Sequence, residues 1–189
     1  GKWTGLTLSW YGDFLDHDNI QESIWISVKV CVASTLISVV LGTLAALSIE
    51  RFRWWGQKTF DAVLYLPIII PDVTMAVMLL VFFGETAQWF NVIPGVNLTD
   101  GLEKLVLSHV AFNISFVSVV VRARLANLDS SMEEAAADLY ASRWGAFRRV
   151  TLPQIMPGVL GGALLAITLS LDDVVVSSFV SGVGATPVS

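Results

Sequence analysis

Four long apolar stretches separated by short polar segments dominate the pattern of this 189-residue chain. A helix that crosses the hydrocarbon core of a bilayer needs about 20 consecutive residues that are mostly apolar. The pattern therefore predicts an all-α membrane protein with four spans, at 24–49, 62–83, 105–121 and 159–180. Residues 1–23 are predicted to form an outer segment, and residues 24–189 the transmembrane domain.

Two of the predicted spans carry interruptions that are unusual in a membrane helix. Pro67 and Pro71 are predicted to break the second span, and Asp72 follows the break. Freed carbonyl groups beside a carboxylate suit a gate or a cation path, although Asp72 equally suits a cap for the helix that restarts after Pro71. Asp172 and Asp173 interrupt the fourth span, which predicts a shorter helix or an acidic turn facing water. Because adjacent carboxylates repel, both should stay ionised only beside water or a cation.

Composition indicates a membrane protein, and the distribution of charge predicts how the chain is oriented in the membrane. Hydrophobic residues make up 54% of the chain, charged residues 14%, and the mean hydropathy is +0.69, as expected for an integral membrane protein. Lys and Arg near the spans are retained on the cytoplasmic side. Two connections hold most of these basic residues: Arg51, Arg53, Lys58, Arg122, Arg124, Arg143, Arg148 and Arg149. Both connections are therefore predicted to face the cytoplasm, and the N-terminal segment is predicted to face outward. The acidic outer segments would attract a cation, but sorting by positive charge alone also leaves such acidity outside.

A polar segment at 129–158 lies between the last two predicted spans. Residues 134–139 are predicted to form a short Ala-rich helix with acidic residues near its N-terminus, where the helix dipole favours them. A second amphipathic turn is predicted from Ser142, with one side formed by Trp144, Phe147 and Val150. Pro153 and Pro157 are expected to end that run before the last span.

This segment resembles the EAA signature of ABC importer permeases. The matching positions are Glu134, Ala135, Ala136, Val150, Leu152 and Pro153. The resemblance implies a type I importer helix bundle in which the segment is a coupling helix that docks on a separate ATPase, with Tyr140, Trp144 and Phe147 in the same contact. Tyr140 stands where the family usually has Gly. A non-Gly residue disfavours a left-handed turn, so the sequence does not assure the tight bend between the two short helices.

A second stretch narrows the resemblance to one substrate group. Residues 170–182, SLDDVVVSSFVSG, look like the corresponding stretch of permease subunits in spermidine and putrescine importers, and so do Trp10-Tyr11 and 41–46. Polyamines are polycations, so carboxylates and aromatic faces would offset the cost of their dehydration. The predicted path residues are Asp72, Asp172, Asp173 and Phe179. For Phe179, as for Trp25 and Trp89, an interfacial or packing role is the alternative.

The same resemblance implies the assembly. The expected partners are a pair of cytoplasmic ABC ATPase subunits, a second permease subunit, a periplasmic substrate-binding protein, a polyamine and the lipid bilayer, without nucleic acid. The expected location is a bacterial inner membrane, with several passes. Related permeases usually carry a further span at each end, so by this resemblance two flanking spans are missing; the sequence leaves open whether the chain is a fragment or was made without those ends. Close helix packing is predicted at two small-residue series: Gly42, Ala45 and Ala46, and Gly158, Gly161 and Gly162.

The sequence lacks the residues that several other functions require. The chain has no Gly-x-x-x-x-Gly-Lys-Ser/Thr loop, so ATP is expected to be hydrolysed by another polypeptide and the chain is not expected to be an enzyme. Cys31 is alone, and His17 and His109 are far apart, so no metal site or cofactor is expected. Two alternatives stay open. One is another cargo, such as ferric iron, a phosphonate or thiamine; the other is a membrane enzyme that holds Mg²⁺ at Asp172 and Asp173.

Overall fold

The computed structural model describes residues 18–90, 102–129, 131–173 and 175–180. Within those ranges the chain is helical and contains no β-strand, so the all-α prediction is confirmed. The elements, in order, are α1 (Asp18–Arg51), α2 (Gln57–Ile69), α3 (Asp72–Phe90), α4 (Leu102–Leu125), α5 (Ser131–Asp138), α6 (Arg143–Ala146), a π-helical turn (Phe147–Thr151), α7 (Leu152–Asp172) and α8 (Val175–Val180). Most of the predicted outer segment, including Trp10-Tyr11, lies outside the described residues.

Three helices among the described residues are long and apolar enough to cross a membrane. They run over Gln21–Arg51, Leu102–Leu125 and Arg143–Asp172. A fourth crossing is supplied if α2 and α3 count as one span, although these two helices meet at a bend of 115°. The predicted second span is therefore a broken pair, in which the chain turns sharply inside the apolar stretch.

The bend between α2 and α3 lies at Pro71. Pro67 is accommodated inside α2, whereas Ile70 leaves the helix with an extended backbone, at ψ 131°. A proline disfavours helical geometry at the residue before it, which explains why α2 ends there. Asp72 is the first residue of α3. Of the two prolines that were predicted to break the span, only Pro71 does so.

The expectation that Pro153 and Pro157 end the amphipathic run is wrong. The helix continues through both prolines, from Arg143 to Asp172. Pro153 falls in the first turn of α7, directly after the π-helical turn, where the Leu152 N–H donates to the Phe147 carbonyl five residues back. A π-helical turn places one additional residue in the helix, and this local change in pairing accommodates the proline. The helix that contains most of the last predicted span, 159–180, therefore begins well before residue 159.

Helices α1, α4 and α7 form the centre of the bundle and approach each other closely. A methyl group on Gly42 would lie 2.8 Å from Val117 Cβ, and one on Gly158 would lie 2.9 Å from Arg124 Cβ. Gly162 likewise faces the backbone of α4, and Ala45 and Ala46 are buried. Small residues let backbones approach where lipid supplies little hydrophobic driving force between helices. The predicted packing role is confirmed for these positions but not for Gly161, whose nearest such neighbour is 3.7 Å away.

Polar side chains are buried between the same three helices. Asn113 Nδ2 of α4 donates to Ser170 Oγ of α7 at 2.8 Å, and Ser170 Oγ lies 3.3 Å from Ser34 Oγ of α1. Hydrogen bonds of this kind between membrane helices contribute on average about 0.6 kcal/mol each. These hydrogen bonds therefore help to fix the positions of α1, α4 and α7 along one another, while small and aliphatic side chains make the rest of the packing.

Candidate coupling surface and polar path

The corner after α5 has the left-handed geometry that the sequence did not assure. Tyr140 has φ 58°, and it is the one non-glycine residue with positive φ in the described part of the chain. The Tyr140 N–H donates to the Ala137 carbonyl at 2.9 Å and the Ala141 N–H to the Ala136 carbonyl at 3.0 Å. These two hydrogen bonds define a Schellman motif, which usually has Gly at this position. The tight bend is therefore formed, at a backbone cost of about 1–2 kcal/mol for a residue with a Cβ.

The next turn begins at Ser142, as predicted. The Ser142 side chain accepts a hydrogen bond from the Gly145 N–H at 3.1 Å and so caps the N-terminus of α6. The left-handed corner ends α5, and this cap starts α6 two residues later.

Apolar side chains project from this corner. Leu139 is 82% exposed, Tyr140 98% and Trp144 68%, and the ring of Trp144 stacks on that of Phe147 at 5.5 Å between centroids. We call Leu139, Tyr140, Trp144 and Phe147 the coupling surface. It lies outside the apolar core of the spans, in a segment that is otherwise polar, and an exposed apolar cluster of this kind marks an interaction site.

The remaining predicted coupling residues differ in their exposure. Glu134, Ala135 and Pro153 are exposed, whereas Ala136, Val150 and Leu152 are partly buried. The three basic residues of this turn are exposed: Arg143, Arg148 and Arg149.

A charged residue that the sequence analysis did not single out ties this loop to the bundle. Both carboxylate oxygens of Glu133 accept hydrogen bonds from the guanidinium of Arg51, one of them at 2.8 Å, and Glu133 also accepts one from the Thr151 hydroxyl. The Arg51 guanidinium, helped by the Thr151 hydroxyl, lowers the pKa of Glu133 below its ordinary value of 4.5. No local signal reveals this contact, because Arg51 and Glu133 are 82 residues apart in sequence.

A second charged cluster lies at the same end of the bundle. The Arg122 guanidinium of α4 donates to Glu50 of α1 at 2.8 Å and to Asp61 of α2 at 2.5 Å, and it lies 5.9 Å from the centre of the Tyr65 ring. Charge-assisted hydrogen bonds are stronger than neutral ones, particularly where water is partly excluded. Arg122 thus joins three helices at the ends that carry the basic residues.

The predicted path residues fall in different environments. Asp72 is exposed at the first turn of α3, and Asp172 is exposed as the last residue of α7. Asp173, in contrast, turns inward and is partly buried. Phe179 lies on α8, and its side chain falls outside the described residues. The structure therefore separates the two neighbouring carboxylates instead of directing both to one point.

Asp173 organises the turn between α7 and α8. Its Oδ1 accepts a hydrogen bond from the Val176 N–H at 2.9 Å, and its Oδ2 lies 3.7 Å from His109 Nε2 on α4. His109 Nε2 is in turn 3.2 Å from Ser177 Oγ. Asp173 thus contacts both the start of α8 and His109 inside the bundle, and the sequence pattern could not reveal these contacts.

The geometry does not favour a metal site at these acids. Among the described residues, no three His, Cys, Asp or Glu side chains converge on a point where a metal ion could be held. The Mg²⁺-dependent enzyme considered from the sequence has no structural support in that part of the chain.

A bundle of apolar helices with a bent pair, and with an exposed apolar corner on the side of the basic residues, fits the membrane subunit of a transporter. The chain belongs to the family of binding-protein-dependent transport system inner membrane components, whose profile matches residues 38–189. The resemblance that was stated from the EAA-like segment is therefore confirmed, and the chain is an inner membrane component.

Individual relatives narrow the comparison. The chain is 40% identical over 185 residues to the putrescine transport system permease protein PotI of Escherichia coli K12, covering 97% of this chain and 64% of that protein. It is 37% identical over 182 residues to the spermidine/putrescine transport system permease protein PotC of Haemophilus influenzae, covering 96% of this chain and 67% of that protein. The chain thus spans about two thirds of the length of these relatives. Both are transport permease proteins and not enzymes.

A solved structure shares the fold. The crystal structure of a bacterial ABC transporter that imports the acidic polysaccharide alginate superimposes with a TM-score of 0.74, over 95% of this chain and 70% of that chain, at 18% identity. This similarity confirms the predicted importer fold.

Proposed function

We propose that this chain is the membrane-spanning permease subunit of an ATP-binding cassette importer that takes up polyamines. A separate pair of ATPase subunits binds at the coupling surface, a second permease subunit completes the pathway, and a periplasmic binding protein delivers the cargo. The observation that carries this proposal is the exposed coupling surface on the EAA-like segment, held at a left-handed corner outside the spans. Because this apolar surface lies outside the spans, it is exposed to water and not to lipid. An exposed apolar surface in water is typical of a site that binds another protein.

Charge supports the orientation. The contacts of Arg51 with Glu133 and of Arg122 with Glu50 bring the C-terminal ends of α1 and α4 to the same side as the coupling surface. Basic residues predominate on that side, which we assign to the cytoplasm. Exposed acids lie near the other ends of the helices, on the proposed outer side: Glu22, Glu103 and Asp172.

The cargo follows from the relatives and from this acidity. The relatives that are 37–40% identical are named for putrescine and spermidine. A polycation entering from the outer side would meet carboxylates there, and ion pairing would offset part of its dehydration. We place Asp172 and Asp72 on the substrate path because both are exposed, with Phe179 nearby in sequence on α8. Asp173 is proposed to shape the path by holding α8 against α4.

The test is co-purification followed by uptake. The chain is expressed with its ATPase, second permease and binding protein, and a triple variant carries Leu139→Ser, Tyr140→Ser and Trp144→Ser. We expect the ATPase to be lost from this variant and retained by the control Trp55→Ser, which removes an equally exposed aromatic residue from the α1–α2 connection. Retention of the ATPase by the triple variant would contradict the proposed docking site.

Uptake then decides the cargo. Radiolabelled putrescine should be accumulated by cells with the complete importer, and unlabelled spermidine should compete, whereas ferric iron, a phosphonate and thiamine should not. Asp172→Asn should lower uptake without changing the amount of assembled complex. Competition by one of the other cargoes, with none by spermidine, would reassign the substrate while leaving the transporter class intact.

A further inference from the structure

Two neighbouring residues at the end of α1 form ion pairs with different parts of the molecule. Glu50 accepts a hydrogen bond from Arg122 of α4, which also binds Asp61 of α2. Arg51 donates two hydrogen bonds to Glu133 of α5. The last turn of α1 therefore lies between the loop that carries the coupling surface and the helix that leads to the Pro71 bend.

The attachment of α5 to the bundle is polar. No residue of α5 is buried, so this short helix inserts no side chain into the apolar core. An isolated helix of this length is unstable in water, and it needs tertiary contacts to persist. Besides the Arg51–Glu133 pair, two side-chain hydrogen bonds join α5 to neighbouring elements within the described residues. The Thr151 hydroxyl donates to Glu133, and Gln154 Nε2 lies 3.2 Å from Met132 Sδ.

The geometry of the Arg51–Glu133 pair suits a mechanical link. The guanidinium presents two N–H groups to the two carboxylate oxygens, and this fork fixes orientation as well as distance. Thr151, which is 1% exposed, holds the same carboxylate from the last residue of the π-helical turn. Glu133 thus connects α5, the end of α1 and the start of α7 through one side chain.

We infer that Arg51 and Glu133 are positioning residues that transmit movement of the coupling helix to α1, from which the Glu50–Arg122–Asp61 contacts pass it to α2. This inference rests on the proposed function, because it requires an ATPase that moves α5. Glu134, the matching residue of the EAA-like signature, is exposed and free to meet the proposed ATPase, whereas its neighbour Glu133 contacts Arg51 of the bundle. We therefore assign docking on the ATPase to Glu134 and transmission of its movement to Glu133.

The experiment measures coupling in the complete importer, reconstituted in proteoliposomes with its ATPase, second permease and binding protein. The variants are Arg51→Glu, Glu133→Arg and the double exchange, and Arg53→Gln is the matched control. Arg53 is an exposed arginine two residues beyond Arg51 that forms no ion pair within the described residues. Putrescine uptake and ATP hydrolysis are measured in the same vesicles, so that their ratio reports transmission.

We expect both single reversals to retain the ATPase and its hydrolysis while the ratio of uptake to hydrolysis falls about tenfold, within the range typical of coupling between sites. The double exchange should restore most of the ratio, because it rebuilds the pair with opposite polarity, and the control should match the wild type. A residue needed only for folding would lower assembly and not this ratio. Wild-type ratios in both single variants, or no recovery in an assembled double variant, would overturn the inference.

Glu133→Gln decides the case if a charge reversal prevents assembly, because glutamine keeps the size of the side chain and an acceptor for Thr151 but loses the charge. It should lower the ratio, and an unchanged ratio in this variant would overturn the inference. Failure of the wild-type complex to bind an ATPase or to take up putrescine would instead count against the proposed function. The two failures are therefore distinguishable.

Discussion

Tyr140 shows that a single side chain can be kept in an unfavourable backbone conformation at an exposed corner. Its ring contacts almost nothing within the chain, since the residue is 98% exposed. Intramolecular packing therefore does not offset the cost of its left-handed geometry. A contact with the proposed ATPase would give such an exposed aromatic residue a role that Gly could not fill.

Replacing Tyr140 by Gly should stabilise the free coupling loop, because glycine adopts positive φ without a Cβ clash. The gain of about 1–2 kcal/mol in backbone strain exceeds the entropic cost of glycine, about 0.5–1 kcal/mol. Hydrogen exchange of the amides in residues 136–146 should become slower. Tyr140→Ala, which removes the ring but keeps the strain, should leave exchange unchanged, and faster exchange in the glycine variant would contradict this account.

Glu133 makes a pH-dependent contribution to loop stability. Because Arg51 lowers the pKa of Glu133 in the folded state, its stabilising effect is fully present above the ordinary glutamate value of 4.5 and is lost as the pH falls through the lowered value. The wild type should therefore be more stable than Glu133→Gln by a constant amount between pH 6 and 8, the ordinary working range. That difference in melting temperature should shrink in acid. A difference that grows on acidification would contradict the ion pair.

At the scale of elements, the helices depart from regular geometry in two places, and each lies beside a proline. The Pro71 bend directs α3 away from α2, and the π-helical turn lets the helix continue through Pro153. Both occur where proline removes a backbone donor, and the π-helical turn ends at Thr151, whose hydroxyl donates to the Glu133 carboxylate. Irregular helices that are held by side-chain contacts are suited to movement, because few backbone hydrogen bonds must break.

The crossing of α1 and α4 should tolerate no added volume. In Gly42→Ala the new methyl would lie 2.8 Å from Val117 Cβ and 3.0 Å from the Ile114 carbonyl oxygen. Such overpacking costs about 1–3 kcal/mol, more than the ~1 kcal/mol that alanine gains over glycine in helix propensity. The melting temperature of the purified complex in detergent should fall. Gly161→Ala, with 3.7 Å of clearance, is the matched control and should not lower it.

At the scale of the whole molecule, charge is segregated between the two ends of the bundle. One end carries the two arginine clusters and the coupling surface, and the other carries exposed acids. If the basic end faces the cytoplasm, as we propose, the same division would present carboxylates to a cation that arrives from outside.

The orientation can be measured with cysteines at the two ends. In a Cys31→Ser background, Ala137→Cys at the coupling helix should react with an impermeant maleimide only in inside-out vesicles. Glu103→Cys at the exposed start of α4 should react in intact cells with a permeabilised outer membrane. The reverse pattern of labelling would place the coupling surface outside and remove the proposed mechanism.

Much of this architecture could be predicted from the sequence because it depends on local composition. Apolar length determines which segments cross lipid, the distribution of arginine predicts the orientation, and the EAA-like residues indicate the family. The interruption at Asp172 and Asp173 and the start of a helical turn at Ser142 were likewise predicted, because each arises from a few neighbouring residues.

Only the tertiary structure decided which charges pair and where the acids point. Arg51 was visible as a basic residue near a span, but its contact with Glu133 depends on how α1 crosses α4 and α7. Asp173 and Asp172 are equivalent in the sequence, yet one is turned inward to His109 while the other is exposed. A sequence pattern records the preference of each segment for lipid or water, whereas a contact between distant segments exists only once helix packing has set their separation and angle.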